Sequence, residues 1–338
     1  MKKIKVKYTG FWDDFKPEND FIYRVLEKKY DIEITDDAEY IITSVFGEPY
    51  HYCKYPQIRI MYAGENYIPD FNLIDYAISR YPLVLNDRHC CLPGCIDEYG
   101  HCEELQHKNR NYKKNILLGK KYFANFIASH ESENGIRGDF FKKLSEYRRV
   151  ESIGTYLNNM PNGETVCWTD DSKRNFQKKC KFTLCFESTA HEGFITEKIT
   201  DAFLADTIPV YYGSKTVTNI FNHKAFINCS DYKSFEDVID RIKEIDKDDE
   251  QYLEMLREPI FVEDMYVDKK MKELENFVLN IFEQDYESAY RRSKVYSPLH
   301  HEKYLLKNMK KDDKYQHLSI KTLILIILNK LSRKLFPK

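Results

Sequence analysis

Short runs of strand-forming residues alternate with stretches of helical periodicity along most of this chain. Residues 4–8, 31–35, 40–45 and 58–63 are β-rich runs of strand length, while 21–29 repeats its apolar positions at helical spacing. Strands separated by helices predict a parallel sheet with helices on its faces, hence an α/β domain. Between Glu103 and Asn115 the chain turns polar through HKNRNYKKN, which suits a crossing between domains. A second series then begins, with strands predicted at 122–128, 181–186, 208–212 and 225–228 and helices at 138–148, 196–205 and 235–245. Further helices are expected at 249–257 and 269–282. The expected division is therefore 1–115, 116–290 and a basic helical tail, 291–338. No internal repeat is found.

Length agrees with two domains, because a single core stops growing at roughly 250 to 300 residues and this chain has 338. With 42% hydrophobic and 31% charged residues it has the apolar content of a folded protein. The 26 Tyr and 21 Phe suit either ordinary packing or clefts that meet flat sugar and base faces. The net charge of -2 hides an asymmetry: from Lys303 onward ten Lys or Arg stand against only Asp312 and Asp313. Residues 319–338 combine an apolar run, 323–328, with Lys330, Arg333 and Lys334; the run is too short to span a bilayer, which takes about 20 residues, and suits a membrane surface. Nine Cys, an odd number scattered along the chain, argue for a reducing compartment. The opening MKKIKVKYTGFWDDF lacks the apolar stretch of a signal peptide, so the expected location is the cytoplasm, with the tail at the inner membrane face. No nucleic-acid partner is expected.

The segment FESTAHEGFITEKITDAF, residues 186–203, carries the most chemical information. A strand of buried type ends in a small polar loop with Gly193 and enters a helix at Ile195 or Thr196. That puts the loop at the carboxyl edge of a parallel sheet, where α/β proteins bind ligands. A helix start favours a pyrophosphate, and Lys198 in its first turn adds a full charge. On their own, Glu197 could equally be a carboxylate set against the helix dipole and Lys198 a surface lysine.

The string resembles the donor-binding signature of the α-1,3-fucosyltransferases. The match runs through Phe186, Glu187, Ile195, Thr196, Glu197 and Lys198, and continues at Asp201, Ala202, Ile208, Pro209, Val210, Gly213, Ser214, Phe226 and Ile227. Ser188 stands where the family commonly has Asn, and Phe194 where it has Tyr. By this resemblance Glu187, Ser188, Phe194, Thr196, Glu197 and Lys198 are donor-binding residues. A second matching region, residues 60–88, contains Gly64-Glu65-Asn66, the run Asp75-Tyr76-Ala77-Ile78 and Asp87-Arg88. The resemblance makes Glu65 the catalytic base, and Asn66, Asp87 and Arg88 acceptor-side or structural residues. A third, FANFIASHESENGIRGDFFKKLSEYRRV at 123–150, places Arg137 where the family has its pyrophosphate-binding arginine, and a guanidinium suits that role with two parallel donors.

The resemblance implies the two-domain GT-B fold, with two Rossmann-like parallel-sheet domains facing across a cleft and helices at the C-terminus. It implies inverting transfer of L-fucose from GDP-fucose to a hydroxyl of an N-acetylglucosamine-containing glycan, giving an α-1,3-linked, Lewis-type product. One base suffices for such a displacement. Arg137, Lys198 and a helix start would meet the diphosphate, so no divalent metal is expected to be essential. Another sugar nucleotide as donor, or a non-catalytic glycan- or nucleotide-binding role, are the alternatives. His89, Cys90, Cys91, Cys95, His101, Cys102 and His107 lack paired Cys-x-x-Cys spacing and are not expected to bind zinc. Asp170-Asp171 is read as a helix cap rather than a metal pair.

Overall fold

The computed structural model describes residues 1–96, 101–167, 171–293 and 295–316. Asp170 and the 319–338 tail lie outside the described residues. Strand β1, Lys2–Thr9, buries Ile4 and Val6 and turns its lysines outward, where Lys3 pairs with Glu33 at 2.9 Å and Lys5 with Asp37 at 2.8 Å. Helix α1 covers Phe21–Leu26 and stops short of residue 29, because Glu27, Lys28 and Lys29 offer nothing more to bury. Strands β2 (Tyr30–Ile34), β3 (Tyr40–Thr43), β4 (Ile58–Ala63), β5 (Tyr76–Ser79) and β6 (His89–Cys91) complete a sheet in the order β2-β1-β3-β4-β5-β6. β3 and β4 are buried at every residue, as central parallel strands are. β1 pairs in parallel with β2 on one side and β3 on the other.

After helix α2, His101–Gln106, a second sheet is built from β7 (Tyr122–Phe126), β8 (Val150–Ser152), β9 (Cys180–Phe186), β10 (Ile208–Tyr212) and β11 (Ile227–Asn228). Its order is β11-β10-β9-β7-β8, with every pair parallel. Helices α3 (Ile136–Tyr147), α4 (Ser172–Gln177), α5 (Glu197–Leu204), α6 (Phe235–Lys247) and α7 (Asp249–Arg257) lie between and after its strands. Phe126, Phe140, Phe182, Phe186, Val210 and Ile242 form the centre of its core. The expected strand at 225–228 is reduced to β11, since Ala225 closes a turn on Asn222.

The strands of the first sheet all fall within 1–115 and those of the second within 116–290. By compactness, however, the chain divides into Met1–Ala63 with Pro69–Ala77 and the chain from Val278, and Gly64–Ile68 with Ile78–Phe277. Helix α8 is Tyr266–Glu283, followed by α9, Tyr286–Ala289, and α10, Tyr296–Gln316. Within the first unit the buried Asp75 carboxylate accepts from the Arg59, Arg291 and Arg292 amides at 2.8 Å each and pairs with the Arg292 guanidinium. The Arg59 side chain, 1% exposed, donates to three backbone carbonyls and to Glu302 on α10. These bonds fix the returning segment to the first sheet.

Candidate active site

In the second sheet β7 leads outward to β8 while β9 leads the other way to β10 and β11, so the strand order reverses between β7 and β9. Ligands of open parallel sheets bind at the carboxyl ends of such a pair. Arg137 sits there. Its side chain, on the first turn of α3, reaches from the β7 side to the last residue of β9: Nε and Nη2 donate to the Phe186 carbonyl at 3.0 and 2.8 Å, and Nη1 to the His130 carbonyl at 3.1 Å. Arg137 is 3% exposed, and burial lowers its pKa, yet a guanidinium keeps its charge. The start of α3 is already capped from within, since Glu131 accepts from the Gly138 amide at 3.0 Å and from the Tyr156 hydroxyl. A Cβ on Gly138 would lie 2.4 Å from Glu131 Oε2, so a side chain there would push this carboxylate off the amide it caps.

Directly after β9, Glu187 is fully buried and acts as an anchor. Its carboxylate accepts from the Thr196 amide at 2.8 Å, the Thr196 hydroxyl at 2.8 Å and Lys198 Nζ at 3.1 Å. It thereby takes up the first free N–H at the start of α5 and aims Lys198, whose amine also donates to Thr196 Oγ1 at 2.8 Å. Burial lowers the Lys198 pKa, but Glu187 and Glu197 outweigh it and the net shift is upward. Burial raises that of Glu197, and Lys198 and Lys173 more than reverse it. Lys173, on α4, pairs with Asp201 at 2.5 Å. Lys198 and Glu197 keep 22% and 26% of their side chains exposed, so both remain open to a ligand. Ser188 is half-buried beside Glu187, and Phe194 is buried at 6% exposure.

Glu65 is exposed in the bend after β4, and its carbonyl accepts from the Tyr67 amide at 2.8 Å. Asn66 accepts from the Tyr81 hydroxyl. Asp87 and Arg88 form a 3-10 turn, Asn86–Arg88, leading into β6. Sequence reading passed over Arg80, which ties these parts together inside the second unit. Arg80 is 8% exposed and donates from Nε to the Gly64 carbonyl at 2.9 Å and from Nη1 to the Leu92 carbonyl at 3.3 Å. Its backbone carbonyl lies 2.2 Å from where a Cβ on Gly193 would be, and Gly193 holds φ +78°. The Glu65 loop and the loop that carries Glu187 and Lys198 are thus packed on one arginine.

Among the described residues no group of three or more His, Cys, Asp or Glu could hold a metal ion. All nine cysteines are free, and burial pushes the Cys90 thiol up to about 12 and raises that of Cys95 as well. Asp171 stands at the N-cap position of α4 without a side-chain capping bond, so the expected cap chemistry is not made there. No helix among the described residues is long and apolar enough to cross a membrane.

Comparison with known proteins matches each half of the chain separately. Residues 117–280 match the C-terminal model of glycosyltransferase family 10 (fucosyltransferase), and residues 6–96 match the α-(1,3)-fucosyltransferase FucT N-terminal domain. The α-(1,3)-fucosyltransferase FucT of Helicobacter pylori is 31% identical over 83% of this chain and 66% of its own length. Human 4-galactosyl-N-acetylglucosaminide 3-α-L-fucosyltransferase 9 is 28% identical over 40% of this chain and 36% of its own length. The chain therefore spans just under two thirds of the first of these relatives and about a third of the second. A crystal structure of an α1,3-fucosyltransferase with GDP-fucose superposes with a TM-score of 0.67 at 27% identity, covering 85% of this chain and 93% of that one. The expected GT-B class, two Rossmann-like parallel-sheet domains with C-terminal helices, agrees with that likeness. Matched in order along both halves, this chain belongs to the glycosyltransferase family 10 fucosyltransferases.

Proposed function

We propose that this chain is an inverting transferase that moves L-fucose from GDP-fucose to a hydroxyl of an N-acetylglucosamine-containing glycan in α-1,3 linkage. The observation that carries this reading is the pair of cations at the strand-order reversal, Arg137 spanning β7 and β9 and Lys198 held by Glu187 at the next loop. The solved relative that carries GDP-fucose supports the donor. In the step itself the acceptor oxygen bonds to the fucose anomeric carbon as the bond to the diphosphate oxygen breaks. The acceptor proton passes to Glu65, and GDP leaves with its new negative charge against Arg137 and Lys198. Charges placed where charge develops lower the barrier more than they tighten the ground state. Two fixed cations take the part a divalent ion would play, so metal is not needed. The basic, apolar 319–338 segment would bring the enzyme to an anionic membrane face, each basic residue adding about 1 kcal/mol.

The test is transfer from GDP-fucose to N-acetyllactosamine, beside GDP-mannose and UDP-sugars. Glu65→Gln is expected to lose about a hundred- to ten-thousandfold in turnover with GDP affinity nearly unchanged. Arg137→Ala and Lys198→Ala should each weaken GDP binding and slow saturated turnover. Full activity with EDTA is expected. Inhibition by EDTA reversed by manganese, or normal turnover by Glu65→Gln, would overturn the assignment.

A further inference from the structure

The first sheet has its own strand-order reversal, between β1 and β3, and the loops leaving these two strands carry an unusual set of aromatic rings. Phe11 and Phe15 stack with ring centres 3.9 Å apart, Trp12 meets Phe15 edge-on at 5.0 Å, and Trp12 meets Phe46 edge-on at 5.6 Å. Tyr8, at the end of β1, closes the cluster from below, 5.7 Å from both Phe11 and Phe15. The inner rings are packed, but Trp12 remains 46% exposed and Phe46 49% exposed. Large rings gathered at the solvent edge of a ligand-binding position in the sheet call for a partner rather than for core packing.

The two loops are rigidly built. The Phe46 amide donates to the Gly10 carbonyl at 2.9 Å, joining one loop to the other. Beneath them His51, 9% exposed, bonds Thr43 Oγ1 at 2.9 Å and the Glu48 carbonyl at 2.8 Å. A Cβ on Gly10, which holds φ +72°, would fall 2.2 Å from His51 Nε2, and one on Gly47 would fall 2.7 Å from Nδ1. Glycine at both positions lets the loops close on the imidazole, and that closure fixes Trp12 against Phe46. Asp13, Asp14 and Glu48 are exposed on the same loops, with Lys16 and Lys54 the exposed cations close by in sequence. The edge is rich in acceptors for hydroxyl donors and unfavourable to an anion.

We propose that Trp12 and Phe46, their ring planes 86° apart, form a corner-shaped shelf in which a neutral pyranose ring of the acceptor glycan stacks its C–H face on Trp12 with Phe46 against its edge, its hydroxyls toward Asp13, Asp14 and Glu48. That the sugar is an acceptor rests on the transferase reading; that the shelf binds a sugar does not. The rigid pairing of the two rings, ordered before any ligand arrives, reduces the entropy lost on binding. A sialylated or sulfated chain would meet the acidic edge and bind less well.

The chain has two tryptophans, Trp12 and Trp168, so the full-length Trp168→Phe protein reports on Trp12 alone. Its fluorescence is expected to change saturably with N-acetyllactosamine, without donor, and to respond more weakly to the 3′-sialylated form. Phe46→Ala in the same background should raise the Kd about tenfold, the scale of one lost ring contact. In turnover, Trp12→Ala and Phe46→Ala should raise the acceptor KM by a similar factor, leave the GDP-fucose KM unchanged and lower the melting temperature by only about 2–4 °C, the cost of the lost ring packing. A fluorescence response in a protein that transfers no fucose keeps the shelf and removes the transferase reading. No response up to the solubility of the sugar, or parent-like acceptor KM in Trp12→Ala, removes the shelf.

Discussion

Replacing Glu187 by Gln tests whether the donor loop is organised by one buried carboxylate. The substitution keeps the side-chain volume and removes the charge. Glu187 now receives three donors from two residues, with no exposed side-chain surface. The amide oxygen can still accept the Thr196 N–H, but the amide nitrogen would then face Lys198 Nζ, donor against donor at about 3.1 Å. Breaking one side of a buried ion pair costs roughly 3–5 kcal/mol. Lys198 is 22% exposed and has Glu197 at 3.7 Å as a second partner, so part of this is recovered. A net loss of about 2–3 kcal/mol is expected. Spread over a second unit of roughly 200 residues, with an unfolding entropy near 2 cal/mol/K per residue, that is a melting shift of about 5–7 °C. Calorimetry reads this directly, and titration with GDP should show affinity about tenfold weaker because Lys198 is no longer aimed. Glu187→Gln with Lys198→Met should regain most of the stability and none of the GDP affinity. If Glu187→Gln melts within about a degree of the parent and binds GDP equally well, the anchor has no such role.

Three other perturbations follow from the same geometry. Gly193→Ala forces a Cβ toward the Arg80 carbonyl at a left-handed φ, so kcat should fall well over tenfold, while circular dichroism reports an intact fold. Arg80→Lys keeps the charge but loses the fork that holds the Gly64 carbonyl; turnover should fall about tenfold with GDP affinity unchanged, and an equal loss of both would contradict a role in placing Glu65. Burial lowers the pKa of His51 and of His89. Both fold as neutral rings, so their contribution is full above the unfolded value near 6.5 and is lost as pH falls through the lower folded values. Melting temperature should drop as the pH falls below about 6.5, and His51→Gln with His89→Gln should flatten that slope.

Long apolar runs were the legible part of the fold. β10 matches its predicted limits of 208–212, and β9 differs by one residue, because four or more buried residues in sequence leave little choice of structure. β8 escaped notice since Val150–Ser152 is too short to show a period, and α4 because its apolar residues are too few. The string at 186–203 marked Glu187, Thr196, Glu197 and Lys198 as a group, and the structure brings them together, but the sequence did not show the division of labour among them. Glu187 becomes an anchor because Gly213 leaves space beside it: a Cβ there would lie 2.6 Å from Glu187 Cγ. That relation joins residues far apart in sequence. Arg80 was hidden for the same reason, since its partners Gly64, Leu92 and Gly193 come from three separate loops.

The return of the chain from Val278 to the first unit, fastened by Asp75 to Arg291 and Arg292, also bears on how the molecule folds. Seen from the first unit, the 200 residues Ile78–Phe277 are one long excursion between two halves of the same body. Closing a loop of that size costs on the order of 5 kcal/mol in chain entropy if it is still unfolded. The cost largely disappears once the excursion has compacted by itself. During synthesis the ribosome would release the first strands long before the segment that completes them, so the inserted body should become protease-resistant first, and the body containing the N-terminus last.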